Sequence, residues 1–158
     1  MIVRVPDLTE EVRRVDFREP ASALNARLSE SPGWDDQHFG EDAGVVGEIY
    51  RIGSDVHFSG EVATTVRSAC PRCLEEFTWP LRRKFRFVIV PAPAGVDPED
   101  DDGIDHYSGD DLDLSPLVGE QALLALDHSL LCSEGCRGLC AGCGANLNQE
   151  DCGCAPKH

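Results

Sequence analysis

The chain has 158 residues, of which 29 are Asp or Glu and 14 are Lys or Arg, so its formal net charge is −15 at pH 7. This length fits about one domain, and the excess of acid argues against a general nucleic-acid binder, which needs a basic surface. No apolar run is long enough to span a bilayer, and the N-terminus lacks the apolar core of a secretory signal. We therefore expect a cytoplasmic protein whose eight cysteines stay reduced.

The first quarter of the chain carries short elements. Residues 2–5 and 12–17 alternate between apolar and polar side chains, which predicts two short strands. Residues 20–28 predict a helix, because proline suits a first helical turn and Leu24 and Leu28 lie one turn apart.

The middle of the chain predicts an antiparallel meander of three strands, at residues 44–52, 56–66 and 77–89. Turn chemistry at residues 53–55 joins the first two strands, and the alternation along each strand indicates that one face is buried. Gly60 interrupts the second strand and predicts a β-bulge.

The rest of the chain predicts a loop, a helix and a tail. Residues 91–110 are rich in Pro, Gly and Asp, which predicts a disordered acidic loop. Residues 115–126 predict a helix that begins at a Ser-Pro pair and covers the sheet with a leucine-rich stripe. The predicted fold class is α+β, an antiparallel β-meander packed by a helix, with residues 1–131 as the core domain and residues 132–158 as a Cys-rich, zinc-binding tail docked on it.

Six of the eight cysteines lie in that tail, and the other two form a CxxC pair at the turn between the second and third strands of the meander. In a reducing compartment, such density predicts structural zinc rather than disulfides. A CxxC turn suits zinc because its backbone N–H groups point at the thiolates. We expect one or two Zn²⁺ ions, with ligands among Cys70, Cys73, Cys132, Cys136, Cys140, Cys143, Cys152 and Cys154.

Three pairings of these ligands remain open. In the first, the first four cysteines of the chain bind one ion and the last four bind a second. In the next, Cys70 and Cys73 join Cys140 and Cys143 as two matching CxxC knuckles. In the last, the tail closes on itself through its own first four cysteines. We favour the first pairing because it follows chain order and leaves the end of the tail as a separate lobe.

Other chemistry is possible for these cysteines but is less well supported. A catalytic zinc site usually includes His, Asp or Glu, and the five histidines show no HExxH spacing. An iron–sulfur cluster is a minor alternative for four cysteines. The alternative function is a thiol oxidoreductase or redox sensor that uses Cys70 and Cys73, but such a motif opens a helix and here a strand follows. We therefore predict that the protein is not an enzyme and has no small-molecule substrate.

Two charged features suggest macromolecular contacts. Arg82, Lys84 and Arg86 share one face of the third predicted strand, with Arg67 and Arg72 nearby, and could contact RNA or protein. The competing interpretation is an ordinary solvated face of a sheet. The nine acidic residues of 97–113, with no Lys or Arg among them, instead favour a basic protein as the partner.

Similarity to a known family rests on three strings in order: CPRCLEEF at 70–77, DLSPLVGEQALLAL at 113–126 and CRGLCAGCGANLN at 136–148. Over residues 44–154 the chain resembles the YceD family of large ribosomal RNA subunit accumulation proteins. The resemblance implies a non-enzymatic cytoplasmic factor for large-subunit ribosomal RNA, associated with a zinc-ribbon protein of that subunit. The resemblance also implies that some relatives lack the later cysteines but keep the CxxC pair and a Cys or His pair near the positions of Cys132 and Cys136, which supports the first pairing. The expected partner is large-subunit ribosomal RNA or a basic large-subunit protein.

Overall fold

A computed structural model describes residues 1–31, 33, 36–93 and 104–154. It contains eight strands, two α-helices and a short 3-10 turn at Val5–Asp7 within these residues. The strands are β1 (Ile2–Arg4), β2 (Arg13–Glu19), β3 (Gln37–Phe39), β4 (Ala43–Ile52), β5 (Asp55–Ala69), β6 (Glu76–Pro91), β7 (Asp105–Tyr107) and β8 (Asp111–Asp113); the helices are α1 (Ala21–Ser29) and α2 (Ser115–Leu123).

The larger sheet of the described residues has six strands, with β2, β4, β5, β6 and β7 side by side and β3 beside the end of β5. Strands β4, β5 and β6 form the predicted antiparallel meander, and only β7 joins it in parallel. Strands β1 and β8 make a separate antiparallel pair. The α+β fold class predicted from the sequence is confirmed.

Alternation along the strands buries one face of the sheet. Phe58 lies opposite Ile49 on one side and Phe87 on the other, and all three side chains are buried. The predicted bulge at Gly60 is wrong, because the pairing passes through it without a break, from Gly47 through Gly60 to Phe85. A side chain at Gly60 would lie within 2.5 Å of the Val46 carbonyl oxygen, so close backbone approach explains this glycine instead.

The two helices cover the buried face. Leu24 and Leu28 of α1 and Val118 and Ala122 of α2 are buried in the same core. Helix α2 ends at Leu123, three residues before the predicted end. The following backbone N–H groups mostly bond three residues back, so the chain tightens out of the α-helix before it enters the cysteine tail.

One part of the predicted loop at 91–110 is wrong, since Asp105–Tyr107 form β7 and pair with the end of β6. Residues 94–103 of that loop and residues 155–158 of the tail lie outside the described residues. The division at residue 131 stays a prediction. Among the residues described, neither helix has the length and apolar character to cross a membrane.

Candidate metal centres

The structure brings the eight cysteines together as two groups of four. The first group contains Cys70, Cys73, Cys132 and Cys136, and the second contains Cys140, Cys143, Cys152 and Cys154. Within each group all four sulfurs lie within 4.8 Å of one another. This grouping is the one expected from the first pairing, and it separates the CxxC pairs that the second pairing would have joined.

The first group joins distant parts of the chain. The turn between β5 and β6 supplies Cys70 and Cys73, while the chain after α2 supplies Cys132 and Cys136. The Cys70 and Cys136 sulfurs are 3.8 Å apart, and those of Cys73 and Cys132 are 3.5 Å apart. The long strands of the meander therefore carry their connecting turn to the point where the tail begins.

Each group contains a knuckle with the same backbone hydrogen bonds. In the first knuckle, residues 70–75, the Leu74 N–H donates to the Cys70 carbonyl at 2.8 Å and the Cys70 N–H donates to Glu75 at 2.9 Å. In the second knuckle, residues 140–145, Gly144 donates to Cys140 at 2.9 Å and Cys140 donates to Ala145 at 2.8 Å. The two CxxC turns therefore wrap their thiols in the same way.

The two groups differ in burial. Cys70 is fully buried, and Cys73 and Cys136 are each 4% exposed. In the second group Cys143 and Cys154 are exposed. The first group is thus part of the interior, whereas the second lies at the surface.

The first cysteine of each knuckle has a lowered pKa. Burial disfavours the Cys70 thiolate, but backbone N–H groups, including those of Cys132 and Arg72, outweigh it and lower the pKa of this thiol to about 6. The hydrogen bond with Cys152, with further help from backbone N–H groups, lowers the pKa of Cys140 to about 6. Since the thiolate is the form that binds metal, each group contains one ligand that ionises near neutral pH.

The donor set and spacing fit zinc. Four sulfurs about 2.3 Å from a tetrahedral zinc ion lie about 3.8 Å apart. The spacings of 3.8 and 3.5 Å in the first group are close to that value, and the spacing of 3.1 Å between Cys140 and Cys152 in the second is shorter. All three are too long for disulfide bonds. All eight cysteines are free thiols. Either group can hold a metal ion through four sulfur donors.

Asn148 links the second lobe of the tail, residues 137–154, to the first group. Its Nδ2 donates to the Cys136 sulfur at 3.4 Å, and this hydrogen bond is the main reason for the lowered pKa of that thiol. Its Oδ1 accepts the Arg137 backbone N–H at 2.7 Å. The asparagine thus supports a ligand of one group while it fixes the backbone that leads to the other.

Glu75 and Gly138 complete the docking of this lobe on the first knuckle. The Glu75 carboxylate accepts hydrogen bonds from Asn146 at 3.2 Å and Gln149 at 2.9 Å. Gly138 has a φ of +74°, and a side chain there would lie 3.0 Å from the Arg72 carbonyl oxygen. Sequence reasoning missed these contacts, although the unusual density of Gly and Asn around the last cysteines was a usable signal.

The five cationic residues predicted to form one contact surface lie in two different places. Arg67, Arg82, Lys84 and Arg86 are exposed on the face of the sheet that the helices leave uncovered. Arg72 is elsewhere, in the first knuckle, where its guanidinium donates to the Cys136 carbonyl at 3.3 Å.

The uncovered face of the sheet has mixed charge. Arg82 pairs with Glu61 at 3.0 Å. A shallow depression of about 600 Å³ on this face is lined by Arg14, Glu48, Glu61 and Lys84 among others. Sequence reasoning missed Arg14 and Arg18, whose alternation with Asp16 along β2 was the available signal.

Comparison with known proteins agrees with the resemblance seen in the sequence. The family model described as large ribosomal RNA subunit accumulation protein YceD matches residues 58–158. These residues include most of β5, all of β6 and α2, and all eight cysteines. Because the match covers more than half of the chain, the protein belongs to the YceD family.

Two curated plant relatives carry the name large ribosomal RNA subunit accumulation protein YCED homolog 1, chloroplastic. The maize protein is 26% identical over 140 residues, which cover 70% of this chain and 48% of the relative. The Arabidopsis thaliana protein is 24% identical over 164 aligned positions, which cover 87% of this chain and 50% of the relative. The chain thus spans about half the length of the curated relatives it matches. No solved structure gives a significant match.

Proposed function

We propose that this protein supports the accumulation of large-subunit ribosomal RNA, as a non-enzymatic factor stabilised by two structural zinc ions. The observation that carries the proposal is that the YceD family match includes both groups of four cysteines and the strands that position the first group. The expected cytoplasmic location stays a prediction, and both plant relatives are named as chloroplastic.

The cysteine groups support a structural role for the metal. Catalytic zinc keeps one coordination position open for water or substrate, whereas four thiolates fill a tetrahedral site. Cys73 leads through Leu74 and Glu75 into β6 and not into a helix, so the redox alternative gains no support from the structure. Bound zinc would contribute to folding directly, because the first group joins the sheet to the tail.

Of the two expected partners, the charge balance favours a basic protein of the large ribosomal subunit. A net charge of −15 attracts basic chains and repels phosphate. Direct contact with large-subunit ribosomal RNA is the second candidate, because Arg67, Lys84 and Arg86 are exposed on one face of the sheet. Acidic residues on that face, Glu48 and Glu61 among them, reduce its attraction for RNA.

Complementation in cells that lack the protein tests the role. The ratio of large-subunit to small-subunit ribosomal RNA is expected to fall without the protein and to recover with the wild-type chain. A chain with Cys70→Ser should fail to restore the ratio, whereas the matched surface change Ser54→Ala should restore it. An unchanged ratio in cells without the protein would overturn the proposed role.

Binding measurements separate the two partners. We expect the purified protein to bind basic proteins extracted from large subunits more tightly than protein-free large-subunit RNA. Replacing Asp100, Asp101 and Asp102 with asparagine should weaken the protein contact, and this loss of affinity should shrink as added salt screens the charges. If Lys84→Ala and Arg86→Ala weaken RNA binding and leave protein binding unchanged, the RNA contact would be the correct one.

A further inference from the structure

Leu74 has a backbone conformation that leucine rarely adopts. Its φ is +62°, which makes it the one non-glycine residue with positive φ among those described. A bulky side chain in this left-handed region crowds its own backbone, so such a residue is an outlier that suggests a function.

The second knuckle shows what the turn itself requires. Gly144 occupies the equivalent position, with a φ of +77° and the same N–H bond to the first cysteine of its knuckle. Glycine adopts this conformation at no steric cost. The first knuckle therefore carries a leucine where the turn is better served by glycine, and its backbone does not explain the choice.

Packing does not explain the leucine either. Leu74 is 66% exposed, although the preceding residue, Cys73, belongs to the buried group and β6 begins two residues later at Glu76. The metal-binding turn holds the side chain outward at a fixed position. An apolar side chain presented in this way adds nothing to the core. Its positive φ distinguishes it from the other exposed apolar residues of the described chain, whose exposure alone would carry no argument.

The surroundings of Leu74 are acidic and include a second exposed leucine. Leu139 is 36% exposed, and its backbone N–H donates to the Arg72 carbonyl at 3.0 Å, which places it beside the first knuckle. Residues 70–76 and 132–154 contain five carboxylates and two arginines. Both arginines are engaged, Arg137 with Asp151 at 2.7 Å and Arg72 with the Cys136 carbonyl.

We propose that Leu74 is the apolar anchor of a docking surface, formed by the first knuckle and the second lobe, for a basic protein of the large ribosomal subunit. The acidic rim supplies charge complementarity to such a partner and repels RNA. The inference rests on the proposed function for the source of the partner. It adds the position on this chain where that partner binds.

Substitution of Leu74 gives an unusual expected result. Leu74→Gly relieves the backbone conformation, so its thermal midpoint should equal or exceed that of the wild type, with full zinc content. Its affinity for basic proteins extracted from large subunits should nevertheless fall tenfold or more. Leu74→Asn tests the same loss with a polar side chain that tolerates positive φ. Ile52→Asn is the matched control, since Ile52 is 52% exposed at the end of β4, where it pairs with the start of β5, far from the first knuckle at the other end of that strand.

A photoreactive leucine analogue at position 74 identifies what is bound there. We expect it to crosslink a basic large-subunit protein when the extracted proteins and protein-free large-subunit RNA are offered separately, and the same analogue at position 52 should not. Crosslinking to RNA, equal crosslinking from both positions, or wild-type affinity in both Leu74 variants would overturn the inference. Loss of zinc from both variants would also overturn it, because Leu74 would then be needed for folding or metal binding.

Complementation in cells separates the two proposals. If the wild-type chain fails to restore ribosomal RNA, the proposed function is wrong. If the wild-type chain restores it and Leu74→Gly restores it fully as well, only the proposed docking surface is wrong.

Discussion

The two groups of cysteines have the same four donors and the same type of knuckle, but they differ in what they connect. The first joins residues 59 and 66 positions apart in sequence and lies in the interior. The second is contained within residues 140–154 and has two exposed ligands. A metal ion in the first group would therefore stabilise the whole domain, whereas one in the second group would stabilise a surface lobe.

This difference follows from chain connectivity. Closing a long loop removes more freedom from the unfolded chain than closing a short one, so a metal ion in the first group contributes more to global stability. The second lobe depends on the first group as well, because Asn148 and Gly138 pack it against that site. We therefore expect the second lobe to depend on the first group for its position, and the first group to depend little on the second.

The largest expected effect is that of Cys70→Ser. This change removes a fully buried ligand and leaves three thiols in the interior, so the free energy of unfolding should fall by about 3 kcal/mol or more. Urea denaturation measures the loss, and elemental analysis should show one zinc fewer. A variant with wild-type stability and zinc content would remove Cys70 from the ligand set.

Asn148→Ala should have an intermediate effect on both groups. It removes the donor to the Cys136 sulfur and the acceptor for the Arg137 N–H, so we expect a loss of about 1–3 kcal/mol. Zinc affinity of the first group should fall about 10- to 100-fold in a chelator competition. Gln149→Ala, which removes a single exposed hydrogen bond to Glu75, is the control and should change affinity much less. Equal effects from both variants would mean that Asn148 has no special role.

Cys154→Ser should release the second metal ion with little change in global unfolding, because this ligand is exposed and its group closes only a short loop. Hydrogen exchange should become faster in residues 137–154 and stay slow in β5 and β6. Faster exchange in the strands as well would show that the second group stabilises the whole domain and would remove the contrast between the groups.

The smallest expected effect is that of Arg82→Ala on the uncovered face of the sheet. Its ion pair with Glu61 is exposed to solvent, so stability should change by about 0–0.5 kcal/mol. The same measurement in high salt should reduce even that difference. A loss comparable with that of Asn148→Ala would show that this face contributes to the fold and is not an ordinary solvated surface.

Sequence periodicity predicted the parts of the fold that rest on long alternating runs. The meander of β4, β5 and β6 and the position of Cys70 and Cys73 at its turn follow from residues whose pattern repeats over ten or more positions. Strand β7 was not predicted, because three residues in an acid-rich segment carry no such pattern. Its strand conformation depends on pairing with β6, which only the folded chain provides.

The candidate metal centres likewise have features that the sequence predicted and features that only the folded chain reveals. Chain order favoured the grouping of the cysteines that the structure shows, and the resemblance to YceD proteins supported it. The contacts of Asn148 with Cys136 and of Glu75 with Asn146 and Gln149 depend on how the tail returns to the knuckle. The positive φ of Leu74 was also hidden, because a leucine at that position looks like any exposed or buried apolar residue in the sequence.

Zinc stoichiometry in three proteins tests the central claim most directly. Elemental analysis of purified wild type, Cys136→Ser and Cys152→Ser should give two, one and one zinc ions per chain, since each variant removes a ligand from a different group. One ion in the wild type, or an iron content in its place, would contradict two structural zinc sites. Loss of both ions from Cys152→Ser would contradict the independence of the buried group from the surface lobe.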